Sequence, residues 1–364
     1  MKTHPITSSD RKAILSPNMQ DLPAEILIEV LSLVDFVAFD SMRLVNRRIA
    51  AIADMHWQRI MTGIITREFH PVDEFFAAFF AAEVPPGLLA HPPLLLKVVQ
   101  ELNDRPMLID FCRVIKRWEV EMPRLRFAKS PAVAHRSLLP HELTRMRGAL
   151  YFWWRYARAF HGHAQPTAEA DHYLGGLSPP PKYPFSFTRN FSTSRLLEAL
   201  DLFRTVRSAL QASCPSIRQV TSLLDFLSPD AIVNMAWGDD HENACIIATM
   251  MRLLPREILH IIIYRHTYPT QSSLISFIRL CHPKIEDSAE TFMETVSITL
   301  CRRQLRGRQP FGSVSFPAAE GGILDHSNPE DEAMRVIYDK DANLPTGLCD
   351  CVFETKRARL EPSR

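Results

Sequence analysis

The sequence predicts a mostly α-helical protein, with an N-terminal unit of three helices followed by an irregular all-α domain. Apolar residues recur at helical spacing from residue 23 to about Leu305. Glycine is scarce, at 12 of 364 residues, and no run alternates apolar and polar side chains between hairpin turns. These observations favour packed helices over a β-sheet.

The apolar periodicity divides into separate segments. We predict helices at residues 23–34, 39–54, 57–68, 71–82, 92–103, 107–118, 140–161, 192–211, 216–227, 230–237, 242–253, 255–266, 271–281 and 285–305. Residues 1–20 are polar and are predicted to be disordered. A proline-rich loop at 163–190 could divide the helical domain, residues 63–306, into two subdomains. Glycine, proline and charge increase in residues 307–364, which are predicted to form a loosely ordered tail with one short helix at 329–340.

Composition and charge point to a protein inside the cell. The net charge of +1 provides no overall basic field for nucleic acid or for an acidic membrane surface. No window reaches the about 18 consecutive apolar residues of a membrane span, and the N-terminal stretch lacks the apolar core of a secretory signal. The seven cysteines are odd in number and scattered, which argues against a disulfide framework and for the reducing cytoplasm or nucleus.

The stretch DLPAEILIEVLSLV, residues 21–34, is more apolar than a single buried helix face requires. From Ile26 onward its only polar residues are Glu29 and Ser32. A half-buried helix normally shows one apolar stripe on a polar background. The sequence therefore predicts that two different surfaces cover this helix.

Residues 21–60 as a whole are predicted to form three short helices, and Pro23 suits the first helical position because its missing N–H has no partner there. A unit of this size cannot bury most of its own apolar surface. One face of the first helix must close the unit, and the opposite face needs either the rest of the chain or a partner.

This unit also carries a family signature. It consists of Leu22-Pro23, Glu25, Ile26-Leu27, Val30-Leu31, Arg43, Val45, Arg47, Ile52 and Trp57. In order and spacing these residues resemble the F-box, the module by which substrate receptors dock onto the Skp adaptor of cullin–RING ubiquitin ligases. More loosely, residues 140–161 are similar to the central helix of large fungal F-box proteins. The alternative is a plain N-terminal helical hairpin packed on the core.

The resemblance implies an F-box at residues 21–62 and a non-catalytic substrate receptor that presents a target protein for ubiquitination. The implied partners are a Skp-type adaptor, a cullin bound through the adaptor, and an unknown protein substrate, with no cofactor. The residues implied to contact the adaptor are Leu22, Pro23, Ile26, Leu27, Val30, Leu31, Val45, Arg47, Ile49 and Trp57. Two alternatives stay open: an F-box protein that acts as a scaffold or regulator outside any ligase, and an all-α ligand-binding protein or enzyme.

The helix predicted at residues 140–161 is apolar on nearly every side in its C-terminal half. Its core stripe consists of Leu143, Met146, Leu150, Trp153, Ala157 and Phe160. Further aromatic residues flank that stripe, so we predict the central buried helix of the second domain. If part of this helix is exposed, Trp154 and Tyr156 would anchor a substrate, with the 163–190 loop as the rim of the site.

No arrangement of residues predicts a metal site or a catalytic centre. The best metal-like cluster consists of His161, His163, Asp171 and His172. Its spacing matches no closed zinc site. The sequence also lacks a Gly-x-Ser-x-Gly nucleophile turn, a glycine-rich phosphate loop and a His-Glu-x-x-His motif.

Overall fold

The computed structural model describes residues 22–80, 91–126, 137–161, 184–223, 236–264, 267–268, 271–281 and 291–306. The helices are α1 (Ala24–Leu33), α2 (Phe36–Val45), α3 (Arg47–Met55), α4 (Trp57–Glu68), α5 (Val72–Phe80), α6 (Pro92–Glu101), α7 (Arg105–Arg126), α8 (Pro140–Phe160), α9 (Pro184–Arg189), α10 (Thr193–Ser213), α11 (Ile217–Leu223), α12 (Asp240–Met250), α13 (Pro255–Ile263), α14 (Gln271–Cys281) and α15 (Phe292–Arg306). Within these ranges there is no β-strand, which confirms the predicted fold class.

The single helix predicted at residues 39–54 is wrong, because the chain breaks it into α2 and α3 at Asn46. The backbone of Asn46 is extended, and its side-chain oxygen accepts a hydrogen bond from the Ile49 N–H at 3.1 Å. Asparagine favours this arrangement because its side chain replaces a missing helical acceptor at an N-terminus. The N-terminal unit therefore contains four helices when α4 is included.

A second difference is α9, which occupies part of the stretch predicted as a loop at 163–190. Phe187 of α9 is buried and stacks on Phe152 of α8 at 5.3 Å between ring centroids. The prolines before α9 suggested a loop, but the aromatic contact stabilises a short helix. The predictions for residues 1–20, 307–364 and 329–340 lie outside the described residues. So does most of the helix predicted at 230–237, whose last two positions are described and are not helical.

The helix α8 is the centre of the hydrophobic core, as predicted. It packs against α5, α7, α10, α13 and α15. Trp153 lies between Trp118 of α7 and Phe203 of α10, with ring centroids 6.0 and 4.6 Å away. Aromatic side chains on the other sides of α8 are also buried, because helices surround it in the fold.

Two pairs of buried hydroxyl groups connect helices within this core. The Tyr156 hydroxyl lies 2.7 Å from the Thr295 hydroxyl, and Thr188 lies 2.7 Å from Thr299, so these two pairs tie α8 and α9 to α15. Burial raises the pKa of Cys112 well above its ordinary value, which leaves this thiol neutral and apolar in character.

The N-terminal unit is joined firmly to the core. The helix α4 packs against α1 and α3 on one side and α6 on the other, and its residues Ile60, Met61 and Ile64 are fully buried. Glu68, at the end of α4, accepts a hydrogen bond from the Phe36 N–H at 3.1 Å. A continuous hydrophobic core therefore runs from α1 to α15.

Ion pairs reinforce this junction. Arg113 of α7 donates two hydrogen bonds, of 2.7 and 2.9 Å, to the carboxylate of Asp40 on α2. The Asp40 side chain is nearly buried, and its hydrogen bonds raise the pKa of Arg113 above the ordinary value. Nearby, Lys116 of α7 pairs with Glu68 at 3.0 Å. The junction thus holds α2 and α4 in a fixed orientation against α7.

Candidate protein-interaction surface

The helix α1 has two apolar faces, and only one of them is buried. Leu27, Ile28 and Leu31 are buried against α3 and α4. On the opposite side Ile26 is 48% exposed and Leu33 is also exposed. These residues, with the half-buried Val30, follow the spacing i, i+4, i+7 of a single helical stripe. Half of the sequence prediction, that the rest of the chain covers one face of α1, is therefore confirmed.

Polar contacts fix the edges of α1 and leave its second apolar stripe uncovered within the described residues. Glu29 pairs with Arg59 of α4. Arg67 of α4 donates to the carbonyl oxygens of Ser32 and Val34, at 2.6 and 2.5 Å. At the other end of the helix, Arg48 of α3 donates to the Leu22 carbonyl at 2.8 Å, which holds the Leu22-Pro23 segment beside α3.

The following two helices add further exposed apolar side chains. Val37, Leu44, Val45 and Met55 are all exposed, and Val45 is 84% exposed at the C-terminal end of α2. Of the twelve large hydrophobic side chains exposed in the described part of the chain, six lie between Ile26 and Met55. Such a concentration of apolar surface in one short segment is typical of a protein-binding site.

The residues predicted to contact an adaptor divide into three groups. Pro23, Ile26, Val45 and Arg47 are exposed, and Leu22 and Val30 are half-buried. Leu27, Leu31, Ile49 and Trp57 are instead buried within the chain, which corrects the prediction that they face a partner. The physical reason is helical periodicity, since the fold turns these four side chains towards the interior, where Trp57 is also covered by the guanidinium of Arg105 at 5.5 Å from its ring.

The substrate anchors predicted on α8 are also wrong. Trp154 is buried and lies 4.5 Å from Phe111 in an edge-to-face contact, and Tyr156 is buried against Thr295. The two residues were predicted as anchors only if part of α8 is exposed. None of the aromatic side chains from Tyr151 to Tyr156 is exposed. A substrate cannot reach either residue without opening the core.

Sequence reasoning missed four residues of this surface, namely Leu33, Val37, Leu44 and Met55. A helical wheel could have found two of them, because Val37 and Leu44 lie at i and i+7 on one side of α2, opposite the buried Phe36 and Phe39. Leu33 follows from the second stripe of α1 in the same way. The helical periodicity of these apolar residues was visible in the sequence, but the adaptor contacts were predicted from the family resemblance.

The described residues contain neither a cluster arranged to hold a metal ion nor a membrane-spanning helix. No group of three or more His, Cys, Asp or Glu side chains in these ranges is arranged to hold a metal ion. Of the metal-like cluster only His161 is described, and it is buried, while His163, Asp171 and His172 lie outside the described residues. None of the described helices combines the length and apolar character needed to cross a membrane.

The fold and this surface define a helical protein-interaction module joined to an α-helical domain. Comparison with protein families identifies the module, because residues 19–60 match the F-box domain. The chain therefore contains an F-box domain, and F-box domains bind Skp-type adaptors of cullin-based ubiquitin ligases. Comparisons with curated proteins and with solved structures gave no match. The looser resemblance of residues 140–161 to the central helix of large fungal F-box proteins stays a prediction.

Proposed function

We propose that this protein is a substrate receptor that binds a Skp-type adaptor through the exposed apolar face of its F-box and so joins a cullin–RING ubiquitin ligase. The observation that carries the proposal is the concentration of exposed hydrophobic side chains between Ile26 and Met55, inside the residues that match the F-box. Apolar surface of this kind gains free energy when a partner removes it from water.

The contact residues that we propose are those of the earlier list that lie at the surface. Ile26 and Val30 lie on one stripe of α1, and Pro23 directly precedes this helix. Val45 and Arg47 lie on either side of the break at Asn46. Leu22 precedes the stripe and is half-buried. The buried members of the list have a different role, because they hold the helices that display this surface.

In this role the protein performs no bond chemistry. It holds a target near the conjugating enzyme, and ubiquitin transfer becomes faster because the effective concentration of the target rises. Target recognition falls to the helical domain after residue 70, since the adaptor occupies the F-box surface. The proposed location is the cytoplasm or nucleus, where such ligases act and where the free thiols of Cys112, Cys214, Cys245 and Cys281 stay reduced.

The test compares two substitutions with equal exposure in the full-length protein. Ile26 and Leu94 are each 48% exposed, but Ile26 lies on the F-box and Leu94 lies on α6. We expect Ile26→Glu to weaken binding to a recombinant Skp-type adaptor about tenfold or more, because a charge would be buried at an apolar contact. Leu94→Glu should leave the affinity within about twofold of wild type. Titration calorimetry measures both.

Wild-type protein that fails to bind the adaptor, or equal losses in the two variants, would contradict the proposal. A second measurement separates a ligase subunit from a scaffold. If the wild-type protein and the adaptor co-purify with a cullin, the ligase role is supported, whereas an adaptor complex that excludes the cullin would favour the scaffold alternative.

A further inference from the structure

A groove lies where the F-box meets the helical domain, outside the α1 stripe described above. It has a volume of about 490 Å³ and is open to solvent. One wall is formed by Val37, Ala38 and Ser41 of α2, and the other by Lys116, Glu119 and Val120 of α7. Because α7 begins 45 residues after the F-box match ends at residue 60, this groove combines the F-box with a part of the chain that the family resemblance does not cover.

The polar groups that line the groove have partners within the chain. The Lys116 ammonium pairs with Glu68 at 3.0 Å and with Glu119 at 3.2 Å. Glu119 also pairs with Arg147 of α8 at 2.7 Å. The Ser41 hydroxyl donates to the Val37 carbonyl at 2.7 Å. Asp35, which also lines the groove, accepts a hydrogen bond from the Ala38 N–H at 2.8 Å. An apolar occupant can therefore leave these polar groups with the hydrogen bonds and ion pairs that they already make.

What the groove offers to an occupant is apolar. Val37 is 56% exposed on one wall and Val120 is 47% exposed on the other. The charged side chains between them are fixed by ion pairs across α4, α7 and α8, so the walls are held in place before anything binds. A preformed apolar groove costs little ordering on binding and fits an apolar side chain of a protein partner.

The surface that surrounds the groove indicates which partner reaches it. Val37 belongs both to the groove and to the exposed face of α2, where it lies on the same side as Leu44. A protein that covers the exposed face of α2 is therefore next to the groove. In the proposed function the adaptor covers the exposed apolar side chains of the F-box, and Val37 is one of them, so the groove is continuous with that interface.

We infer that the adaptor bound on the F-box also inserts an apolar side chain into this groove, so that its contact area extends onto α7 at Val120. The inference rests on the proposed function and adds to it a contact from outside the F-box. The helical domain then contributes to adaptor affinity directly, and α7 becomes part of what distinguishes this receptor from others with the same F-box.

The experiment replaces Val120 of the full-length protein with a negatively charged residue and, separately, with a positively charged one. The same two replacements at Leu94 are the matched control. Leu94 is 48% exposed against 47% for Val120, and it does not line the groove. We expect Val120→Glu and Val120→Lys each to weaken binding to a recombinant Skp-type adaptor about tenfold. Leu94→Glu and Leu94→Lys should change the affinity less than about twofold. Thermal melting of all four variants confirms that each is folded.

Three other results of this experiment would overturn the inference. Unchanged adaptor affinity in both Val120 variants would show that the adaptor does not contact the groove. Weakening by Val120→Glu alone would indicate a general electrostatic effect, and equal weakening at Leu94 would indicate a non-specific one. The proposed function has its own readout, because adaptor binding by wild-type protein and its loss in Ile26→Glu do not depend on Val120.

Discussion

At the residue scale, Gly148 shows how a missing side chain permits a buried ion pair. A Cβ at this position of α8 would lie 1.9 Å from a guanidinium nitrogen of Arg195. Arg195 pairs with Glu74 of α5 and, at 2.8 Å, with Glu198 of α10. Burial raises the pKa of Glu74, and the charge of Arg195 lowers it in part. The ionised form of this carboxylate is therefore stabilised by Arg195.

Substitution Gly148→Ala should therefore destabilise the protein. In an exposed helix interior, replacing glycine by alanine stabilises by about 1 kcal/mol. Here we expect a loss of about 2 kcal/mol, because the methyl group displaces Arg195 and leaves Glu74 buried without its cation. Urea denaturation monitored by circular dichroism measures the change in the free energy of unfolding.

The pH dependence distinguishes the ionic cause from simple crowding. The raised pKa means that Glu74 binds its proton more readily in the folded state, and removing Arg195 raises that pKa further. Stability of the variant relative to wild type should then fall as the pH rises through this pKa and Glu74 ionises. A penalty that is the same at about pH 4 and about pH 7 would contradict the ionic explanation.

At the element scale, the junction between α2 and α7 decides how the F-box is held. Arg113 is about half exposed, whereas its partner Asp40 is nearly buried and lies in the F-box. Arg113→Met should cost about 1 kcal/mol, because it leaves the Asp40 carboxylate without its two hydrogen bonds while solvent screens part of the loss. We also expect faster amide hydrogen exchange in α2 and α3, measured by mass spectrometry.

A second ion pair on the same helix provides the control. Arg256 lies 3.0 Å from Asp110 of α7, and both side chains are well exposed. Arg256→Met should change stability by less than about 0.5 kcal/mol, since exposed pairs contribute little. If the two variants behave alike in stability and in exchange, the junction does not hold the F-box.

At the scale of the whole molecule, the F-box cannot be separated from the chain without exposing its interior. A fragment of residues 1–62 ends inside α4 and lacks both Glu68 and Arg113, which contact α2. We expect this fragment to aggregate and to show no cooperative melting by circular dichroism, because the outer stripe of α1 is exposed and the truncated α4 no longer covers the whole inner face.

Co-expression with a Skp-type adaptor provides the comparison for that fragment. The adaptor would cover the outer stripe of α1, so a soluble complex is expected in gel filtration. A monomeric fragment that melts cooperatively on its own would show that the F-box folds independently and that its contacts with α6 and α7 are dispensable.

The sequence by itself determined the helical class, the position of the F-box and the buried central helix α8, because these depend on local patterns. Helical periodicity is visible within a few turns, and the all-round apolar character of residues 150–157 predicts burial wherever the helix lies. The surplus of apolar residues in α1 predicted two covering surfaces, of which the fold supplies one, and the second stays a prediction.

Only the tertiary structure decided which apolar residue faces which surface. Ile26 and Leu27 are adjacent and equally apolar, yet Leu27 is buried and Ile26 is half exposed, because α4 packs on one side of α1. Likewise the groove depends on the meeting of α2 with α7, whose residues are far apart in the chain. Local patterns report that a side chain is apolar, but only packing between distant segments determines whether the chain or a partner removes it from water.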